Sequence, residues 1–328
     1  MSLSSAIGFI GGGQMATAIY RGLVRKGIRK AADLYVYDVN ASARQAASTL
    51  GINAPSSAAI VAESTRVILI CVKPDAVPTV LRDLRPNIGS GHLLISVAAG
   101  VTTRALEAAA GSGLGVFPSG GAEAEPDFKH TVSHPGPPRI VRVMPNTPSL
   151  VGEGATGISA GTNATGEDVE LTRELFSAVG QAHVVDEKML DAVTGLAGSG
   201  PAYALLFIEA LADGGVFAGL PRPAARALAA QTVLGTARMV LTADGGGCSA
   251  CGGVPAPAGA APVCSCPPPP HTAELRDRVS SPAGTTVAGL KVLEDRGVRG
   301  AVISAVAAAT DRARELGEIA QRETSGSQ

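Results

Sequence analysis

Two stretches carry residue types and spacings suited to holding small anionic molecules: Gly8 to Ala16 and Ser280 to Thr286. The first, Gly8-Phe9-Ile10-Gly11-Gly12-Gly13-Gln14-Met15-Ala16, sets G-x-G-x-x-A directly after an apolar run and at the start of a helical pattern. Gly11 permits a tight turn, Gly13 lets backbone approach a pyrophosphate, and Ala16 keeps helix and strand close. The free N–H groups at the helix start then favour the anion. A plain structural turn is the alternative, and context decides against it. The loop lies near the N-terminus between a strand and a helix, and Asp38 ends the second strand about 20 residues later, where an acid can bond ribose hydroxyls. As such an acid, Asp38 favours NADH over NADPH by repelling a 2′-phosphate; otherwise it is a turn acid beside Asn40.

The second stretch, Ser280-Ser281-Pro282-Ala283-Gly284-Thr285-Thr286, precedes a helical pattern through Val287, Leu290, Val292 and Leu293. A helix start there offers N–H groups and a positive dipole end to a carboxylate, or it is an ordinary cap. Between the two stretches, Cys71-Val72-Lys73-Pro74 closes a strand at the sheet edge where ligands of such folds lie. Lys73 there faces either a cofactor or solvent. Ala98-Ala99-Gly100 follows the next strand and leaves room for a nicotinamide ring, or forms a simple tight loop.

Thr194-Gly-Leu-Ala-Gly-Ser-Gly-Pro-Ala202 gathers small residues at the start of a long helix with no strand close before it, which suits tight helix packing rather than a nucleotide. In hydroxyacid dehydrogenases related to hydroxyisobutyrate dehydrogenase, the pattern G-x-x-G-x-G-x-x-x-K-x-x-N here supplies a lysine acid/base. Ala204 and Phe207 occupy those Lys and Asn places. Alcohol oxidation therefore lacks its proton acceptor. A protonated imine already attracts hydride, so a hydroxyl or water can assist it, and Thr286 would position rather than ionise.

The elements that must hold these residues are legible in the periodicity. Runs at Ile7–Ile10, Leu34–Tyr37, Val67–Val72, Leu93–Val97 and Ile140–Met144 alternate with Ala-rich helical patterns up to about Val185, which predicts a parallel sheet buried on both faces. Beyond Lys188, segments 191–218, 224–241 and 301–322 have helical spacing only. The expected fold is α/β: a Rossmann-type doubly wound parallel sheet over residues 1–187, then an all-α domain over 188–328. Gly/Pro-rich stretches at 111–138 and 245–270 read as surface inserts without regular structure, and deleting 245–270 should leave folding intact.

Composition narrows the partners. With 27 Lys plus Arg against 28 Asp plus Glu, a net charge of -1 offers no footprint for nucleic acid. Aromatics are only 3% with no Trp, so the core falls to Ala, Val, Leu and Ile. The most apolar stretch, Ala202 to Leu220, carries Glu209 and Asp213, and no run approaches the roughly 20 uncharged residues of a membrane span. No membrane partner and no targeting segment are expected, which suits a cytoplasmic protein. Four of the five Cys, at 248, 251, 264 and 266, have spacing that could hold zinc, but Gly, Ala and Pro around them build no knuckle, so no metal is expected.

Together these motifs resemble pyrroline-5-carboxylate reductase over nearly the whole chain outside the inserts. Leu275-Arg-Asp-Arg-Val-Ser-Ser-Pro-Ala-Gly-Thr-Thr-Val-Ala-Gly-Leu-Lys-Val-Leu-Glu294 looks like that family's signature, and T-G-L-A-G-S-G-P-A-Y (194–203), A-L-A-D-G-G-V (210–216) and M-P-N-T-P (144–148) agree with it. The resemblance implies transfer of hydride from NADPH or NADH to 1-pyrroline-5-carboxylate, giving L-proline in the last step of proline biosynthesis. It implies a homodimer with interlocked helical domains, often further assembled, and sites between subunits. By motif position, Gly11, Gly13, Gln14, Met15, Val72, Lys73 and Ala99 would touch the cofactor, as Asp38 would at the ribose. Glu187, Gly284, Thr285 and Thr286 would hold the substrate, with Thr286 near the imine nitrogen. The chain departs from relatives at Arg278 and Ala58, where they carry Asn residues that reach the cofactor. The rival readings are reduction of a six-membered cyclic imine and a non-catalytic NAD(P) sensor.

Overall fold

The computed structural model describes residues 6–111, 136–243 and 270–325. Most of the two expected inserts, and the cysteines at 248, 251, 264 and 266 with their zinc alternative, lie outside the described residues. Among the described residues no cluster of His, Cys, Asp and Glu is placed to hold a metal ion. The chain divides into two compact units, residues 1–201 with 305–328, and residues 202–304.

The first unit alternates strands and helices: β1 (Ile7–Ile10), α1 (Gln14–Arg25), β2 (Leu34–Tyr37), α2 (Ala41–Ser48), α3 (Ala58–Ser64), β3 (Val67–Ile70), α4 (Val77–Leu84), β4 (Leu93–Ser96), α5 (Thr103–Ala110), β5 (Arg139–Met144), β6 (Gly154–Ala160), α6 (Gly166–Ser177) and β7 (Gly180–Val184). They form one sheet of order β2-β1-β3-β4-β5-β6-β7. The register pairs Ile10 with both Tyr37 and Ile70, so the carboxyl ends of β1, β2 and β3 lie side by side. That edge is where the order reverses and where ligands of open α/β sheets sit. Every residue of β1, β3 and β4 is buried, as strands covered by helices on both faces must be.

Two hydrophobic clusters line the two faces of the sheet. In one, Phe9 meets Tyr20 of α1 edge-on at 5.9 Å between ring centroids and 89° between planes. Burying each Ile, Leu or Phe of this kind is worth about 1.5–3 kcal/mol. Gly8 is required on the other face, since a Cβ there would collide with Val61 of α3.

The sheet is not wholly parallel, because β6 runs antiparallel to β5. β6 reads Gly-Ala-Thr-Gly-Ile-Ser-Ala, too poor in branched apolar residues to announce a strand, yet its Thr156 and Ser159 are buried. β7 then pairs with it in parallel as a largely exposed edge. Neither strand shows in the periodicity. The expected strand over 67–72 ends at Ile70, with one further ladder bond from Cys71 N–H to Ile10 O at 2.8 Å.

No strand follows Val184 among the described residues. After α7 (Leu190–Val193), a π-turn over Thr194–Gly198 leads into α8 (Gly200–Phe217), followed by α9 (Arg222–Ala243), α10 (Thr272–Arg278), α11 (Thr285–Asp295) and α12 (Val298–Ser325). Among the described residues of the second unit only Ala212, Ala225 and Ala229 are buried, with Ile208 and Val216 against them. Leu205, Leu206, Leu228 and Phe217 stay exposed, Phe217 at 96%. Apolar surface on this scale marks an association face. Residues 187–217 are long and apolar enough to cross a membrane by length and composition, at mean hydropathy 1.3. The helical run nevertheless carries the exposed acids Glu209 and Asp213, the latter paired with Arg222.

Candidate cofactor and substrate site

The glycine loop is held open from below. Gly11 has φ +98°, and a Cβ on it would lie 2.7 Å from the carbonyl carbon and oxygen of Cys71, so both conformation and space demand glycine. Its N–H donates to Tyr37 O at 2.8 Å. Gly13 is the N-cap of α1 and no side chain caps the helix; the space where its Cβ would stand is empty. The first-turn N–H groups of α1 therefore face an unfilled approach, as a pyrophosphate requires. Gln14 is exposed and Met15 half-buried beside them, while Ala16 is buried against the sheet. These residues fit a dinucleotide. Gly11→Ala should cost about 1–3 kcal/mol of stability and weaken coenzyme binding, checked by thermal melts with and without NADPH.

Asp38 stands where an adenosine ribose is expected, and both carboxylate oxygens are engaged: Oδ2 accepts from Gly12 N–H at 2.7 Å and Oδ1 from Asn40 N–H at 2.8 Å. Asp38 thus braces the loop as well as charging its rim. Arg44 of α2 donates to Asp38 O at 2.6 Å and lies 6.0 Å from the Tyr37 ring centroid. This cation beside the ribose position was not foreseen, and its only sequence signal is a basic residue shortly after the second strand. Ala58 opens α3 behind the Ser57 cap.

After β3, Val72 is half-buried and Lys73 exposed ahead of a short 3-10 turn, Pro74–Ala76. Burial pushes the Cys71 thiol up to about 12. It should therefore alkylate roughly a thousandfold more slowly at pH 8 than an ordinary exposed thiol. Peptide mass spectrometry after iodoacetamide treatment checks this. After β4, Ala98 is buried and Ala99 exposed, with Ala98 N–H donating to Ser96 Oγ at 3.3 Å. Gly100 has φ +76°, and its Cβ would lie 3.6 Å from the backbone of Gly317 in α12.

Glu187 is placed differently from a free substrate ligand. Oε1 accepts from Thr103 N–H at 2.6 Å, Oε2 accepts from the Thr103 hydroxyl at 2.6 Å, and Arg142 Nη1 approaches Oε1 at 3.2 Å. The small-residue cluster behaves as scaffold: a Cβ on Gly195 would lie 2.3 Å from Thr310 Oγ1, so α12 packs directly on it. Asn146 of the M-P-N-T-P motif ties this cluster down, donating to Ala197 O at 2.9 Å and accepting from Ala155 N–H at 2.8 Å.

In the second unit, α11 begins at Thr285 with Gly284 as N-cap and no side-chain cap. The cap position holds a glycine with no side chain, and Ser280 Oγ, four residues earlier, donates back to Arg276 O at 2.9 Å. Ala283 is held at φ 55°, an unusual conformation for a side-chain-bearing residue. Gly284 N–H donates to Ser281 O at 3.0 Å, and a Cβ on Gly284 would meet Ser281 Oγ. The turn thus delivers the N–H groups of Thr285, Thr286 and Val287 uncapped, beside the half-buried Thr286. A carboxylate fits such a helix end. Arg278 closes α10 in an exposed pair with Glu274 at 2.8 Å.

Comparison with known proteins accounts for both units. Residues 187–250 and 256–316 match the family described as pyrroline-5-carboxylate reductase dimerisation, and residues 6–100 match NADP oxidoreductase, coenzyme F420-dependent. The chain is 40% identical over 316 residues to pyrroline-5-carboxylate reductase of Pisum sativum, covering 96% of this chain and 97% of the relative. It is 38% identical over 313 residues to that of Methanosarcina acetivorans, covering 95% and 98%. Among solved structures it resembles the pyrroline-5-carboxylate reductase of Coxiella burnetii (TM-score 0.76, 32% identity, 95% and 98% covered). It also resembles the Plasmodium falciparum pyrroline carboxylate reductase with NADP bound (TM-score 0.70, 30% identity, 97% and 100% covered). Since this likeness runs through the glycine-loop sheet and the helical portion alike, the chain belongs to the pyrroline-5-carboxylate reductase family.

Proposed function

We propose that the chain reduces 1-pyrroline-5-carboxylate to L-proline, the last step of proline biosynthesis. The observation that carries this reading is the pairing of two uncapped helix starts in one chain: α1, behind an open glycine loop, and α11, behind the Ala283-Gly284 turn. The bound NADPH or NADH supplies the hydride. Gly13, Gln14 and Met15 would hold its pyrophosphate by backbone where Gly11 turns the loop, Asp38 would border its ribose, and Val72, Lys73 and Ala99 the nicotinamide end.

The uncapped N–H groups of Thr285 and Thr286 orient the substrate carboxylate, which approaches across the side-chain-free Gly284, using the dipole end of α11. The Thr286 hydroxyl hydrogen-bonds at the imine nitrogen, steadying the protonated imine and the amine it becomes. No side chain needs to ionise at that position, in keeping with Ala204 and Phe207 where hydroxyacid dehydrogenases carry Lys and Asn. Glu187, whose oxygens are engaged by Thr103 and Arg142, steadies the start of α5 after the Ala99 loop.

The protein is a homo-oligomer acting on a small molecule, as its dimerisation family match indicates. We assign the exposed apolar faces of α8 and α9 to an interlocked twin copy, with further assembly of dimers. The match beginning at residue 187 supports a dinucleotide-binding domain over 1–187 and a dimerisation domain over 188–328. Loss of NADPH or NADH absorbance on adding the five-membered imine tests the activity. Coenzyme binding without turnover would instead make the chain a sensor, and turnover restricted to a six-membered imine would change the substrate.

A further inference from the structure

A buried charge sits where the sequence offers an apolar strand. Arg142 lies in the middle of β5, its side chain 4% exposed, flanked in register by Ser96 of β4. A buried guanidinium needs a partner, and removal of that partner is strongly destabilising. The partner is Glu187, whose side chain is 30% exposed. The same carboxylate grips the first residue of α5, accepting both the N–H and the hydroxyl of Thr103. That N–H is one of the donors a helix start leaves unsatisfied, so Glu187 completes α5 from outside while Thr102 caps it from within, accepting from Ala105 N–H.

The segment fixed in this way is 97–102, the loop between β4 and α5. Its front is tied by Ala98 N–H to Ser96 Oγ, and its turn is wedged by Gly100 against Gly317. Its back end is Thr103. Ala99, exposed at its tip, is the residue placed beside the nicotinamide.

We propose that Arg142 and Glu187 are positioning residues: an ion pair of a buried guanidinium and a half-buried carboxylate that sets the 97–102 loop, and with it the nicotinamide face, without touching substrate. The inference rests on the reductase reading above, and replaces a direct substrate contact by Glu187 with an action through Thr103. A misplacement of the loop by a fraction of an ångström would slow hydride transfer while leaving coenzyme affinity, which depends on the glycine loop, nearly intact.

The test compares Glu187→Gln, Arg142→Met and the double variant by kcat, KM for the imine, NADPH affinity from fluorescence, melting temperature, and the isotope effect with 4-deuterated NADPH. Glu187→Gln should lower both Tm and kcat, because it strands a buried cation. The double variant removes both charges and should regain Tm to within about 2 °C. Its kcat should stay about tenfold low, with a raised isotope effect and NADPH affinity within about threefold of wild type. Recovery of kcat together with Tm would overturn the proposal, leaving the pair merely structural. A rise of about a hundredfold in KM for the imine at unchanged kcat would also overturn it, placing Glu187 on the substrate. Should the charge variants fail to fold, Thr103→Val removes one of the two bonds without stranding a charge. It should show the same pattern at about threefold in kcat, and an unchanged isotope effect would refute the proposal. Absence of imine reduction by the wild type would defeat the reductase reading itself, a different result from any of these.

Discussion

Thr286→Val is expected to lower kcat for imine reduction about a hundredfold while the affinity for NADPH changes by less than about threefold. The substitution keeps the shape of the side chain and its helix-start backbone, so the N–H groups at the α11 terminus still take a carboxylate. What disappears is one hydroxyl directed at the nitrogen that gains charge and a proton. Positioned acid–base or hydrogen-bonding help of this kind contributes about 10²–10⁴ in rate. NADPH affinity is expected to hold because α1 and the glycine loop belong to the other unit. Steady-state kinetics with fluorescence titration of NADPH measures both quantities, and an unchanged kcat removes Thr286 from the chemistry.

Asp38→Ser is expected to raise the NADPH-over-NADH ratio of kcat/KM about thirtyfold. A carboxylate about 5 Å from a doubly charged 2′-phosphate at the protein surface opposes it by about 2 kcal/mol in high dielectric. Serine removes that repulsion and leaves Arg44, already tethered to the carbonyl of residue 38, as the nearest cation. The substitution also costs about 1 kcal/mol of stability, since Asp38 accepts from Gly12 and Asn40 N–H groups. If the wild type already prefers NADPH strongly, Arg44 rather than Asp38 governs the ribose end, and the ratio should barely move.

Much of this site could be read directly from residue types. Gly11 to Ala16 declared a turn between strand and helix because only glycine tolerates φ +98° with a neighbouring strand's carbonyl at van der Waals distance. The helix start at Thr285 was equally plain from Ser, Pro and Gly ahead of an apolar repeat. What the chain concealed were features made by distant segments. β6 is paired by position, not by propensity, and its antiparallel direction follows from the tight connection over Thr147–Val151 that returns the chain beside β5. Arg142 is a charge within the apolar run Ile140–Met144, and its meaning depends on Glu187, 45 residues away. Asn146 belonged to a recognised motif, yet its work of joining Ala155 to Ala197 emerges only once β6 and the π-turn are in place. The exposed apolar faces of α8 and α9 were hidden for another reason: helical periodicity says which residues are apolar but not which molecule covers them.

A crystal structure of the protein with NADP and L-proline tests the central claim most directly. The account predicts the proline carboxylate on the N–H groups of Thr285 and Thr286, the ring nitrogen within hydrogen-bonding reach of the Thr286 hydroxyl, and the NADP pyrophosphate on the first turn of α1. A proline bound away from the α11 start of both subunits would contradict it.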